Sequence, residues 1–237
     1  MNRATRAIDL NADLGEGFAN DAVVLDYVTS TSICCGAHAG GPETIEATLR
    51  AAKSRGVAVG AHPGYSDRAH FGRVETALSA AEVERLVLDQ CAALAGPARA
   101  AGVALRFVKP HGALYNQAQL EPEVARGVLD AVARLRLPLL GQRAGVLAEG
   151  ARARGLAYVV EGFPDRAALP DGRLVPRGTP GAMLESTDAI ASRAVALADE
   201  GYATLCLHGD EPRVVERVAA VRRALESAGF RVVSMWS

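Results

Sequence analysis

One unit recurs along this chain: a short β-rich run, a polar or glycine-rich stop, then an amphipathic helix. The predicted strands are Ile8–Ala12, Ser32–Gly36, Val57–Ala61, Leu105–Val108, Leu137–Leu140, Ala157–Glu161 and Thr204–Leu207, with Arg231–Met235 as an eighth. Helix starts separate them. Pro42 and Pro122 sit where a first helical residue belongs, Ser79-Ala80-Ala81-Glu82 has capping-box spacing, and Asp210-Glu211-Pro212 opens a last helix that ends near Gly229. Alternation of this kind calls for a parallel sheet wrapped by helices. Seven or eight such units in 237 residues favour closure into an irregular parallel β/α barrel, one domain over residues 1–237. No GxGxxG follows the first strand, which weakens a dinucleotide fold. The segment Phe163–Gly181, rich in proline and glycine, is expected to be irregular and long enough to cover a site.

Composition removes other classes. A net charge of −1 gives no electrostatic pull toward nucleic acid or an anionic membrane. No apolar run approaches the roughly 18–20 residues of a membrane helix. The first residues lead directly into a strand, leaving no room for a signal peptide, so a cytoplasmic location is expected. Cys34, Cys35, Cys91 and Cys206 lack CxxC spacing and read as reduced thiols.

In a parallel barrel the strand C-termini converge on one face, where sites are built. Four of the five histidines, His38, His62, His111 and His208, follow predicted strands. A structural need would rarely recur at equivalent strand ends, so these four are assigned to a site; His70 reads as a loop residue. Asp13 and Glu16 lie three apart in a glycine-flanked loop after the first strand, so both could face the barrel mouth; the blander roles are turn chemistry for Asp13 and solvation for Glu16. Asp210 could cap the last helix and still border a pocket. Asp165, Arg166 and Arg177 could order the irregular segment or grip an anionic group. Cys206 reads as core. Only Lys53 and Lys109 occur, so 24 of the 26 basic residues are arginines. Lys53 lies at a helix end, as a surface residue would. Lys109 lies at a strand end among polar residues, where a compact ammonium has a use that arginine lacks. Asp13, His38 and His62 could hold a divalent metal; the alternative is metal-free acid–base catalysis by Asp13 and a histidine, with Lys109 facing a developing oxyanion.

The strings DLNADLGEGF, CCGAHAGGP, GVAVGAHPGYSDRAHFGR, VKPHGALYN, EGFPDRA, GRLVPRGTPGA and LHGDEP, in this order, resemble the LamB/YcsF family from Ile8 to about Phe230. The resemblance implies a fold like that of polysaccharide deacetylases. It also implies ATP-dependent opening of the 5-oxoproline lactam to L-glutamate, in a 5-oxoprolinase complex with subunits B and C. On that reading Asp13, Glu16, His38, His62, Lys109, His111 and His208 carry the chemistry. Asn11, Tyr115, Glu161, Asp165, Arg166, Arg177 and Asp210 then bind substrate. No GxxxxGK[ST] loop is present, so ATP chemistry falls to the partners. The loop after Glu16 is shorter than the family pattern. Two other classes remain open: a stand-alone metal-dependent deacetylase or amidohydrolase, and a non-catalytic small-molecule-binding protein. A homo-oligomer is compatible with each.

Overall fold

The segment from Ile8 to Leu14 alternates apolar and polar residues without a break, and this alternation organises the molecule. The computed structural model describes residues 6–169, 173–175, 177, 179–210 and 213–236. Its strands are β1 (Arg6–Leu14), β2 (Ser30–Cys34), β3 (Ala58–His62), β4 (Leu105–Val108), β5 (Leu139–Gly141), β6 (Tyr158–Gly162), β7 (Thr204–His208) and β8 (Phe230–Val232). All named pairings are parallel. The first seven close on themselves, because β1 pairs with both β2 and β7. The eighth stands apart from the ring and pairs with Arg6, Ala7 and Ile8 at the start of β1. The barrel is therefore a seven-stranded ring with an appended strand. It is irregular at one seam: the register slips between β3 and β4, and β4 meets β5 through the single pair Val108–Leu139.

The helices are α1 (Asp21–Val24), α2 (Pro42–Arg55), α3 (Ala80–Ala100), α4 (Gly112–Leu120), α5 (Pro122–Leu135), α6 (Val146–Ala153), α7 (Thr187–Asp199) and α8 (Val214–Ser227). The predicted capping box is present: Glu82 N–H donates to Ser79 Oγ, and Ser79 N–H to Glu82 Oε2 at 2.8 Å. Pro42 and Pro122 occupy first turns as expected. Glu211 and Pro212, predicted to open the last helix, lie outside the described residues; the helix runs from Val214 and stops just before Gly229. β2 begins at Ser30, two residues earlier than expected, and stops short of Gly36, whose φ of +86° leaves the extended region. In and just beyond the expected irregular segment, the described residues form two isolated antiparallel bridges, Arg166–Met183 and Ala168–Leu174. No described helix is long and apolar enough to cross a membrane.

Outward-facing Ile8, Leu10, Ala12, Leu14, Val59, Ala61, Leu205 and Leu207 join the helices in one large apolar core. The lumen is different. The register sets Asp9 beside Thr204, Asn11 beside Ser30 and Cys206, and Asp13 beside Ser32 and His208. A polar filling replaces the branched aliphatic layers usual in such barrels.

Candidate active site

Lys109 enters the lumen directly after β4, with its N–H donating to the Ala61 carbonyl at 2.9 Å. It is 2% exposed, and its Nζ lies 2.9 Å from Asp13 Oδ1, 2.9 Å from Glu161 Oε1 and 3.0 Å from Cys206 Sγ. An ammonium has three protons, and these acceptors take all of them. Burial works against its charge, yet Asp13, Cys206 and Glu161 outweigh burial and hold Lys109 well above the usual lysine range. Burial likewise opposes ionised Asp13; the charges on His62, Lys109 and His208 prevail and keep its carboxyl well below the carboxylate range. For Glu161 burial prevails and raises the pKa. A second layer orients Glu161. Asn11 Nδ2 donates to its Oε1 at 3.1 Å and to Thr204 Oγ1 at 2.7 Å, while Tyr115 Oη reaches its Oε2 at 3.4 Å. The Lys109 ammonium, expected to face an oxyanion, is thus engaged by Asp13, Glu161 and Cys206. Cys206, expected as core, is buried as such but contacts the ammonium.

Beside this ion cluster sit His38, His62, His111 and Glu16, all buried. His62 Nδ1 lies 2.7 Å from the Lys109 carbonyl and His111 Nε2 lies 2.8 Å from the Phe71 carbonyl. A carbonyl only accepts, so each of those nitrogens carries the proton. In the neutral rings the other nitrogens, His62 Nε2 and His111 Nδ1, then present lone pairs to each other across 3.0 Å. Two facing lone pairs repel unless a shared proton or a metal ion lies between them. Glu16 Oε1 lies 3.2 Å from His38 Nε2 and 3.5 Å from His111 Nδ1, and one ligand atom from each of the four residues falls within 4.8 Å of the others. Burial drives the imidazoles toward neutrality, lowering His38 to about 3 and His62 to about 4. Burial and the Asp13 charge push Glu16 well above the ordinary glutamate value. Two imidazoles held by carbonyls behind them, His38 beside them and a carboxylate alongside fit a divalent ion such as zinc. This donor set differs from the expected Asp13, His38 and His62. Asp13 Oδ2 stands 3.5 Å from His62 Nε2, but its two oxygens are engaged by Lys109, and Glu16 and His111 complete the set. Gly64 lets the chain pass close by: a Cβ there would lie 2.9 Å from His38 Nδ1 and 3.1 Å from His111 Cβ.

His208, at the end of β7, has its own carboxylate. Its Nδ1 lies 2.9 Å from Asp165 Oδ2, which also accepts from the His208 N–H at 3.3 Å, and Phe163 stacks on its ring. Burial opposes the charge of Asp165, but His208 holds its carboxyl below the usual range. Asp210 pairs with Arg73 and with Arg177 at 2.9 Å. A cavity of about 470 Å3 opens over these groups. Asp13, Glu16, His62, Lys109, His111, Tyr115, Arg166, Arg177, His208 and Asp210 line it. Asn11, His38, Glu161 and Asp165 lie behind that wall as supports. His70 is exposed and pairs with Asp67, apart from the cluster. Sequence reasoning misses Arg73, Phe163 and the Phe71 carbonyl. The string GAHPGYSDRAHFGR contains two of these, but nothing in its spacing shows that the loop folds back over His38 and His111.

Residues 8–237 match the LamB/YcsF family. A protein of Nocardia farcinica named as the A subunit of 5-oxoprolinase is 44% identical, over 95% of this chain and 98% of its own length. The crystal structure of a lactam utilization protein from Thermus thermophilus superposes with a TM-score of 0.90 at 41% identity, covering 97% of this chain and 100% of that one. The catalytic domain of a peptidoglycan N-acetylglucosamine deacetylase from Eubacterium rectale gives a TM-score of 0.58 at 14% identity, covering 100% and 92% of the two chains. That likeness extends to the barrel fold expected from the sequence.

Proposed function

Because this chain belongs to the LamB/YcsF family, we propose that it is the ring-opening component of an ATP-dependent 5-oxoprolinase, converting 5-oxoproline to L-glutamate with partner subunits B and C. The observation that carries this reading is one cavity whose floor and the layer behind it hold a locked cluster of Lys109, Asp13 and Glu161 beside a histidine–carboxylate donor set and an oriented His208. A lactam is an unreactive amide, so its opening needs an activated water, a proton for the leaving nitrogen and a fixed ring position.

This chain's residues divide that work. Asp165 accepts from His208 Nδ1, which fixes the tautomer and presents Nε2 for proton transfer to or from the ring nitrogen. Lys109 keeps Asp13 ionised, and Asp13 stands 3.5 Å from His62 Nε2, where it favours positive charge on that side of the cavity. Tyr115 and Phe163, packed edge to face, form an apolar wall against which a small ring can lie. Glu16, His38, His62 and His111 would hold a divalent metal, which when bound supplies Lewis acidity and a nucleophilic water near neutral pH. The chain carries no phosphate loop, so phosphorylation by ATP belongs to the partners. The reaction runs in the cytoplasm, where ATP is available and the four free cysteines stay reduced.

The test is glutamate release from 5-oxoproline and ATP by subunits B and C, with and without this chain. Glutamate only when the chain is added is the expected result. Equal release without it would sink the reading. The metal donor set favours one second reading, a partner-independent metal-dependent amidohydrolase. Amide hydrolysis by the zinc-loaded chain alone would establish that instead.

A further inference from the structure

Of the three histidines in the donor set, two are oriented from behind. His62 Nδ1 faces the Lys109 carbonyl at 2.7 Å, and His111 Nε2 faces the Phe71 carbonyl at 2.8 Å. His38 has no such backing. Its Nε2 faces Glu16 Oε1 at 3.2 Å, a fellow member of the set, while its Nδ1 is buried without a hydrogen-bond partner and has Gly64 packed against it. The ring lies flat on His111, with centroids 3.7 Å apart, and meets the Phe71 ring edge-on at 5.8 Å. Stacking fixes the plane of a ring but not its rotation within that plane. The remaining constraint must come from the loop that carries His38.

That loop, residues 35–41 between β2 and α2, contains Gly36 at φ +86° and Gly40 at φ +68°. Glycine backbone is permissive, so such a loop keeps one shape only if it is tied from outside. Three of its carbonyls meet a single side chain. Arg68 Nη1 donates to the Gly36 carbonyl at 2.7 Å and to the Ala39 carbonyl at 3.4 Å, and Nη2 donates to the Gly40 carbonyl at 2.5 Å. The grip therefore brackets His38 on both sides. Gly40 N–H in turn donates to the Glu16 carbonyl at 3.2 Å, which ties the same loop to the carboxylate ligand. Arg68 opens a short helical turn, Arg68–His70, capped by Asp67 Oδ1, which accepts from the His70 N–H at 3.3 Å. The turn ends on Phe71 at φ +58°, an uncommon conformation for a bulky residue, with its carbonyl toward His111. One turn thus serves two ligands, His38 through a guanidinium and His111 through a carbonyl.

We propose that Arg68 is a positioning residue for this donor set, doing for His38 through its loop what the two carbonyls do for His62 and His111. The proposal rests on the metal-binding part of the reading above and goes beyond it, because Arg68 neither lines the cavity nor belongs to the donor set. A guanidinium spreads its donors over a rigid fork, which suits separate carbonyls better than the compact ammonium of lysine. Arg68 is exposed, so replacing it costs little global stability. Its work is local: it narrows the positions His38 can take before the metal arrives, and so spares the metal that ordering cost.

The probe is zinc ion, titrated into the metal-stripped full chain against a chromophoric chelator. Arg68→Met should weaken zinc binding about tenfold or more, as removal of groups that orient metal ligands from outside does. The unfolding midpoint of the metal-free chain should stay where it is, an outcome that a merely structural role would not give. Arg50→Met, which breaks a surface pair with Glu46 on α2, should leave zinc affinity unchanged. If Arg68→Met misfolds, Arg68→Lys replaces it. A double-variant cycle then locates the effect: in a His38→Ala background, Arg68→Met should cost less than about twofold further. Parent-like zinc affinity in the folded Arg68 variant would overturn the proposal. So would a full loss on top of His38→Ala, since Arg68 would then reach the site by another route. A parent chain that binds no zinc defeats the donor-set reading and the proposal with it, a result distinct from equal binding by parent and variant.

Discussion

The two faces of β1 are equally dry and chemically opposite. Ile8, Leu10, Ala12 and Leu14 face the helices and are at most 3% exposed; Asp9, Asn11 and Asp13 face the lumen and are at most 5% exposed. Alternation on a strand ordinarily separates a core from solvent. Here it separates an apolar core from a polar one. The outer face is held by area and shape, which tolerate small losses. The inner face is held by partners, where removing one group strands another. Asp9 accepts from Thr29, Ser30 and Thr204, Thr204 accepts from Asn11, and Asn11 donates to Glu161, so the network runs unbroken from below the site to Lys109.

The largest effect should follow from breaking the inner face at its cation. Lys109→Met leaves Asp13 and Glu161 facing each other without a counter-charge. Removing one partner of a buried ion pair costs about 3–5 kcal/mol. Urea unfolding should show that loss, and glutamate release should vanish. A variant as stable as the parent would show that the lumen is held by shape after all.

The pH dependence should come next in size and arise on the same face. His38 and His62 have folded values of about 3 and about 4 against an ordinary value of 6.5. Below pH ~6.5 the unfolded chain takes up protons that the folded chain refuses, so stability is complete above that pH and is lost as pH falls toward 4. Glu16, raised by burial, contributes with the opposite sign: its share is present at low pH and lost as pH rises through its folded value. In chelator-treated protein the denaturant midpoint should fall between pH 7.5 and 4.5, with Glu16 offsetting part of the histidine effect. His62→Gln should flatten that profile. An equally steep profile in the variant would place the proton uptake elsewhere.

Much of this contrast is legible in the residues. The strings after each strand point to a barrel and to its active end, because a parallel sheet brings all strand C-termini together. Closure of the ring on seven strands is not legible, since Phe230–Val232 has the composition of a barrel stave and only its pairing with residues 6–8 sets it aside. The metal donor set is partly legible. Strand-end position picks out His38, His62 and His111 for a site, but the expected ligand set takes Asp13 where the cluster that could hold a metal takes Glu16 and His111. Which carboxylate a lysine claims depends on a contact between positions 13 and 109, and no local spacing encodes it. Arg73 escapes for a similar reason. Its place at the cavity depends on Asp210 from the far end of the chain.

A matched pair of one-group deletions gives the finest test of the two faces. Thr204→Val keeps volume but removes the hydroxyl that donates to Asp9 at 2.6 Å and accepts from Asn11 at 2.7 Å. Both partners are buried, so the cost should be about 1–3 kcal/mol. Activity should fall as well, because Asn11 loses one of the two contacts that aim it at Glu161. Ile8→Val deletes one methylene from the other face of the same sheet, at a residue 3% exposed. Its cost should be about 0.5–1.5 kcal/mol, with kcat and the pH profile unchanged. Unfolding midpoints and glutamate release measured on both variants would separate these outcomes. If Ile8→Val altered the pH profile, the outer core would be setting the lumen's electrostatics, and the two faces of β1 would have to be treated as one coupled unit.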